Sequence, residues 1–272
     1  MTDRKIVLIT GANTGLGFEM VRALCSSDKA YEILLGGRSL EKANKAVEAA
    51  VGEFPSSKSR VSAIQVDIED DESIQRAFDD VKGRFGRVDA LVNNAGATFD
   101  QHIHKGDMTM RQAWNQSWNV NTTGSQVMTQ VFVPLLLQSS DPRLLFITSG
   151  TATLTGSENR ELVMNKLCPK GWPKTASGMD PRQLISSYRS AKAGLNMMMR
   201  EWHRILSEDG VKVWGISPGY LATGLGGSLD LNKQQGAGDA SLGGEFVREV
   251  LEGRRDGDVG KAIQREGRVQ PW

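Results

Sequence analysis

A chain of 272 residues with 39 % hydrophobic side chains can bury a substantial core, either as one large doubly wound α/β body or as two smaller domains. Its 33 basic and 32 acidic side chains nearly cancel, which argues against nucleic acid or an anionic membrane surface as partner. Two cysteines, Cys25 and Cys168, make no disulfide framework, and His102, His104 and His203 fall in no metal-ligand spacing; reduced thiols and no metal are expected.

The first residues, Met-Thr-Asp-Arg-Lys, lead directly into an apolar strand. Without a long apolar segment or a small-residue cleavage site, the expectation is a cytoplasmic protein. Residues 6–10 read as a buried strand, β-branched and nearly unbroken. Glycines follow, then helical periodicity over 18–24. Residues 33–35 form a second strand ended by Gly36, Gly37 and Arg38, and Ser39 with Glu41 opens a capped, alanine-rich helix. A third strand is expected over 61–66 and a third helix over 70–85. A fourth strand opens at 90–92, and a long helix is expected over 110–137. A fifth strand over 144–147, a long helix over 184–206 and a sixth strand over 211–216 complete the pattern.

Strands separated by helix-length segments predict right-handed βαβ crossovers, hence an α/β protein with a parallel sheet covered on both faces. No domain boundary interrupts residues 1–272. Two stretches break the rhythm. Residues 154–183 are rich in Pro, Gly, Lys and Ser around Trp172, and residues 224–244 are rich in Gly, Ser and Asp. Both exceed ordinary connections, so each is expected to be a functional lid or a disordered segment.

After the first strand comes Thr10-Gly11-Ala12-Asn13-Thr14-Gly15-Leu16-Gly17. A glycine turn between a parallel strand and a helix lets backbone approach a pyrophosphate, and the helix N-terminus offers free N–H groups and a positive dipole end. A tight turn needs glycine in any case, so position after the first strand is what gives the cluster weight. Folds that prefer NAD carry an acidic residue roughly twenty positions further on. Here that count lands on Gly37 beside Arg38, with no carboxylate at the strand end. A guanidinium there suits a 2′-phosphate and can stack on adenine, so NADPH is the expected cofactor; otherwise Arg38 is a solvated residue at a strand end.

The spacing Thr-Gly-x-x-x-Gly-x-Gly, Asn93-Asn94-Ala95-Gly96 after the fourth strand, and Tyr188-x-x-x-Lys192 on a later helix together resemble the short-chain dehydrogenase/reductase family over about residues 4–224. The resemblance implies a single-domain Rossmann sheet of about seven strands, the last near residues 260–264. It implies a cofactor cradle of Gly11, Asn13, Thr14, Gly15, Leu16 and Gly17 at the pyrophosphate and Arg38 at the 2′-phosphate. Asp67 and Ile68 would meet the adenine, and Asn94, Ala95 and Gly96 would run beside the adenosine ribose. Pro218, Gly219 and Thr223 would hold the nicotinamide end. The catalytic set it implies is Asn121, Ser149, Tyr188 and Lys192, with Asn119, Thr148 and Thr151 as nearby decoys.

Tyr188 and Lys192 stand four apart and share one helix face. A free phenol titrates near pH 10, about three units above neutrality, and a neighbouring ammonium favours phenolate; the Tyr188 pKa is therefore expected to fall. Tyr188 would give a proton to a carbonyl oxygen while hydride arrives at carbon, with Ser149 bonding the same oxygen. Lys192 would also bond the nicotinamide ribose, and Asn121 would position a water relaying protons towards Lys192. Alone, a Tyr–Lys pair at this spacing is equally a surface pair.

Ser149 and Tyr188 lie 39 positions apart, an insertion known in the family's carbonyl-reductase branch, whose members work as monomers; for this chain the resemblance leaves both a monomer and a homo-oligomer open. Trp172, Phe99, Tyr220 and Leu225 are candidate pocket residues, and the 197–199 methionine run with Trp202 reads as core or subunit interface rather than substrate site. The expected function is NADPH-dependent reduction of a ketone or aldehyde. The alternatives are NAD(P)-dependent alcohol oxidation, or a non-redox enzyme or cofactor-binding sensor on the same fold.

Overall fold

Alternation within apolar runs decides both faces of the sheet. In strand β1 (Lys5–Ile9), Ile6 and Leu8 join one core cluster while Val7 and Ile9 join the other, all fully buried. The computed structural model describes residues 3–172, 174, 183–227 and 229–272. Six further strands follow: β2 (Tyr31–Gly37), β3 (Arg60–Gln65), β4 (Ala90–Asn93), β5 (Arg143–Ile147), β6 (Lys212–Ser217) and β7 (Ala262–Gln264). All seven pair in parallel in the order β3-β2-β1-β4-β5-β6-β7, with Ile9 in register with both Leu35 and Val92.

Helices α1 (Gly15–Cys25), α2 (Leu40–Glu53) and α3 (Asp71–Phe85) follow the first three strands, and α4 (Asp100–Lys105), α5 (Met110–Trp118) and α6 (Gly124–Leu136) follow the fourth. Beyond β5 come α7 (Leu154–Ser157) and α8 (Ser186–Leu206), and between β6 and β7 lie α9 (Leu229–Gln234) and α10 (Ser241–Leu251). Helices α1, α2 and α10 cover one face with Val21, Ala43 and Val247; α3, α6 and α8 cover the other with Ile74, Phe132 and Leu195. Because β2 and β4 flank β1 and the chain winds outward both ways, a crevice opens above the C-terminal ends of β1 and β4.

The cap read from sequence forms, Ser39 accepting from Lys42 N at 3.3 Å; Asp70, read as the first residue of the third helix, caps it instead, accepting from Glu72 N at 3.0 Å. The helix expected over 110–137 is broken by a π-helical turn at Asn119–Thr123, where the Asn121 side chain bonds the Ser117 carbonyl at 2.8 Å. Segment 224–244 contains α9 and the start of α10, so part of it is regular helix. Of the longer insertion, α7 and a 3₁₀ turn at Val163–Asn165 are described; residues 173, 175–182 and 228 lie outside the described residues. Met199 and Trp202 belong to the core, whereas Met197 faces outward.

Candidate active site

The glycine turn is built by close approach. Gly11 and Gly15 take φ of +61° and +56°, which a side chain rarely tolerates. A β-carbon at Gly17 would stand 2.5 Å from the Gly11 carbonyl oxygen and 2.6 Å from Asn94 Nδ2. Thr14 precedes α1 without a side-chain cap, leaving the first helical N–H groups to an outside acceptor. This turn fits a pyrophosphate: bare backbone, a helix N-terminus and room that only glycine leaves.

Thr10 and Asn94 lock the turn to β4. Thr10 Oγ1 accepts from the N–H groups of Asn94 and Ala95 at 3.0 Å each, and Asn94 Nδ2 donates to Thr10 O at 2.8 Å and Gly11 O at 3.1 Å. The Asn94 amide, expected along the adenosine ribose, is therefore committed to bracing the glycine turn. Thr10 is a residue that sequence reasoning passed over; its place as the last hydroxyl before Gly11 was the available signal.

At the end of β2, a β-carbon on Gly37 would lie 3.2 Å from Asn13 Oδ1, so Asn13 leans over the strand beside Arg38. Arg38 is exposed, its Nη1 3.8 Å from Glu69 Oε2. Asp67 Oδ1 accepts from Glu69 N at 3.1 Å, and the buried Ile68 packs its carbonyl against Gly124. Arg38, Asp67 and Ile68 thus share one corner of the crevice. Leu16 packs towards α10 at Gly243, and Pro218 is buried beside the exposed Gly219. Thr223, expected at the nicotinamide end, stands against the glycine turn, its Cβ 3.6 Å from where a Gly15 β-carbon would be.

Tyr188 and Lys192 rise from α8 as the spacing predicts. The Lys192 ammonium donates to the Ile147 carbonyl at 2.8 Å and lies 5.9 Å from the Tyr188 ring centroid. Burial pushes Lys192 down to about 7 and Tyr188 up to about 12; the Ser149 hydroxyl, hydrogen-bonding the phenol, offsets part of the latter. The expected fall in the Tyr188 pKa is therefore corrected. Desolvation is the larger cause, and the lysine lies over the ring with its ammonium bonded to a backbone carbonyl.

Ser149 Oγ is 2.9 Å from Thr151 Oγ1 and accepts from Thr151 N at 3.2 Å, while the Ser149 carbonyl takes Gln270 Nε2 at 3.2 Å. Asn121 is fully buried; its amide donates to the carbonyls of Ala97 and Ser117, both at 2.8 Å, and its Oδ1 accepts from Ala97 N at 3.2 Å. Two of the three decoys separate from the site, whereas Thr151 stays hydrogen-bonded to Ser149. Thr148 bonds Asn196 Oδ1 at 2.5 Å in the core, and Asn119 bonds Glu69 at 3.1 Å.

The candidate pocket residues Phe99, Tyr220 and Leu225 are at least partly exposed, and Trp172 is 87 % exposed. Asn232 donates to the carbonyls of Thr223 and Leu225 at 2.8 and 3.0 Å, folding α9 onto the loop that follows β6. Arg189, next to the tyrosine, reaches the carbonyls of Thr151 and Met164 and the Asn165 side chain at 2.8–3.1 Å. Nothing in the sequence marked it. Among the described residues no three His, Cys, Asp or Glu side chains gather as a metal site, and no helix is long and apolar enough to cross a membrane.

The family model for short chain dehydrogenases matches residues 5–160 and 175–234. The chain is 44 % identical over 273 residues to the short-chain dehydrogenase/reductase tropE of Talaromyces stipitatus, covering 100 % of this chain and 99 % of the relative. It is 46 % identical over 277 residues to the short-chain dehydrogenase/reductase eupG of a Phoma species, covering 98 % and 97 %. Among solved structures, the NADPH-bound carbonyl reductase from chicken fatty liver superposes with a TM-score of 0.77 at 22 % identity, covering all of both chains, a likeness of fold. Sequence, sheet order and site agree: the chain belongs to the short-chain dehydrogenase/reductase family of nicotinamide-dependent oxidoreductases.

Proposed function

We propose that this protein reduces a ketone or aldehyde to an alcohol with NADPH, Tyr188 serving as the acid. The observation that carries the reading is the grouping of a half-buried Tyr188 with Ser149 at its hydroxyl and Lys192 5.9 Å from its ring centroid, desolvation pushing the phenol up to about 12. The reduced nicotinamide, when bound, supplies the hydride. Tyr188 Oη gives its proton to the carbonyl oxygen as charge develops there, and Ser149 Oγ donates a hydrogen bond to the same oxygen. Lys192, at about 7, can return a proton to the phenolate. Asn121 has one acceptor position left on Oδ1 beyond the Ala97 N–H, which suits a water on the path to Lys192.

Arg38, exposed at the end of β2, supports NADPH over NADH, since β2 itself ends without a carboxylate and Glu69 reaches the guanidinium only at 3.8 Å from the loop after β3. The loop 224–244, ordered in part by Asn232, would close over substrate, with Tyr220 and Leu225 as its apolar lip. Titration with NADPH and NADH, read as energy transfer from the chain's six tryptophans, tests the cofactor. Binding of NADPH about tenfold or more tighter, with the advantage lost in Arg38→Ala, supports the proposal. Equal or tighter NADH binding overturns the NADPH assignment, and binding of neither overturns the redox reading.

A further inference from the structure

Helix α8 carries both Tyr188 and Lys192, yet its own sequence leaves its start uncapped: Ile185 precedes it and offers no side-chain acceptor. The first N–H groups of a helix need acceptors when they are buried. Here they come from a residue 87 positions away in the chain. Asp100 is buried to 2 % exposure; Oδ1 accepts from Ser187 N at 2.8 Å, and Oδ2 accepts from Ser187 Oγ at 2.8 Å and Tyr188 N at 3.1 Å. Thr98 Oγ1 adds a longer bond at 3.5 Å. A carboxylate at this end of a 21-residue helix is also favoured by the helix dipole.

The network does not stop at the helix. Ser187, whose hydroxyl donates its hydrogen bond to Asp100, accepts from Ser117 Oγ at 2.7 Å, and the Ser117 carbonyl takes the Asn121 amide at 2.8 Å. Trp118, one residue on, packs its ring against Gly194 of α8, so closely that a β-carbon there would meet it at 2.6 Å. One buried carboxylate therefore anchors the backbone under Tyr188 and, through two serines, the turn that presents Asn121.

We propose that Asp100 is a positioning residue, a cap supplied in trans that sets the height and direction of the Tyr188 phenol relative to Ser149 and Asn121. The role deepens the reductase reading and its kinetic consequence rests on it. Asparagine fills the same space but turns an N–H₂ towards donors that need acceptors, so it separates charge and hydrogen bonding from packing.

The test uses Asp100→Asn and Asp100→Ala in the full chain, with Tyr188→Phe as reference, NADPH as cofactor and 4-nitrobenzaldehyde as carbonyl probe. In Asp100→Asn we expect kcat to fall about tenfold or more, with the KM for NADPH changed less than about twofold. Asp100→Ala should fall further. Amide hydrogen exchange at Ser187 and Tyr188 should quicken about tenfold in both, while the second half of α8 keeps wild-type rates. Wild-type kcat and exchange in Asp100→Asn would overturn the proposal, as would losses matched by equal loss of NADPH binding. If the wild type leaves the probe unreduced, the exchange rates still decide the role of Asp100. If Tyr188→Phe keeps wild-type turnover, the reductase reading fails and the cap is judged on exchange alone.

Discussion

Asn121 and Lys192 close on the same backbone atom from two sides: a β-carbon at Gly96 would stand 2.9 Å from Asn121 Oδ1 and 3.3 Å from Lys192 Nζ. The two side chains come from different helices, and the glycine of the Asn-Ala-Gly turn is the spacer that lets both approach. Neither flank can yield cheaply. Asn121 is tied to two carbonyls and Lys192 to a third.

Gly96→Ala should therefore lower kcat/KM for NADPH-dependent reduction by about tenfold or more by displacing Lys192, the less tightly tied of the two. Steady-state kinetics beside a thermal melt decide this. An alanine variant with wild-type turnover would mean that the two side chains shift apart without consequence.

Lys192 gives a pH signature. Burial holds it at about 7 in the folded chain against an ordinary 10.5. Between those values the unfolded chain binds the extra proton, so this group makes stability rise as pH increases from about 7 towards 10. Tyr188, raised to about 12 from 10, acts in the opposite sense only above pH 10. Urea unfolding at pH 7, 8 and 9 should show a rising contribution in the wild type that is missing from Lys192→Met. Parallel pH profiles for the two would refute the assignment.

Arg189 holds the described part of the insertion to the catalytic helix through Thr151, Met164 and Asn165. Arg189→Ala should raise the KM for the carbonyl substrate by about tenfold, the worth of one or two net hydrogen bonds, and leave the NADPH KM near wild type. Faster proteolytic cleavage within residues 154–172 is the accompanying structural readout. Unchanged carbonyl KM and unchanged cleavage would show that Arg189 does not order the insertion.

Gly244 sits where α10 crosses α1, and a β-carbon there would run into the Glu19 carbonyl. Gly244→Ala should cost about 1–3 kcal/mol of stability, measurable as a lower urea midpoint at unchanged slope. Because the contact lies on the α1–α10 packing, NADPH affinity of the folded fraction should fall only modestly. A wild-type midpoint would show that the two helices part without cost.

Much of this protein is local in the chain and was legible there. The apolar strand runs, the glycine turn after β1, the cap at Ser39, and the four-residue step from Tyr188 to Lys192 each depend on neighbours a few residues away. Short-range sterics and helical periodicity decide such features before any tertiary contact forms. The parallel sheet followed from them, because strands spaced by helices can return only by crossover.

Packing decided the rest. Asn94 braces the glycine turn, Thr223 stands beside Gly15, and Asp100 caps a helix 87 positions downstream; none of these follows from spacing, since each partner is brought in by the sheet. The same holds for the titration of Tyr188 and Lys192. Residue type and interval predicted a lowered phenol, but the sign was set by how much water the folded chain removes from both groups. Desolvation is a property of the assembled interior, and a linear sequence carries no local record of it.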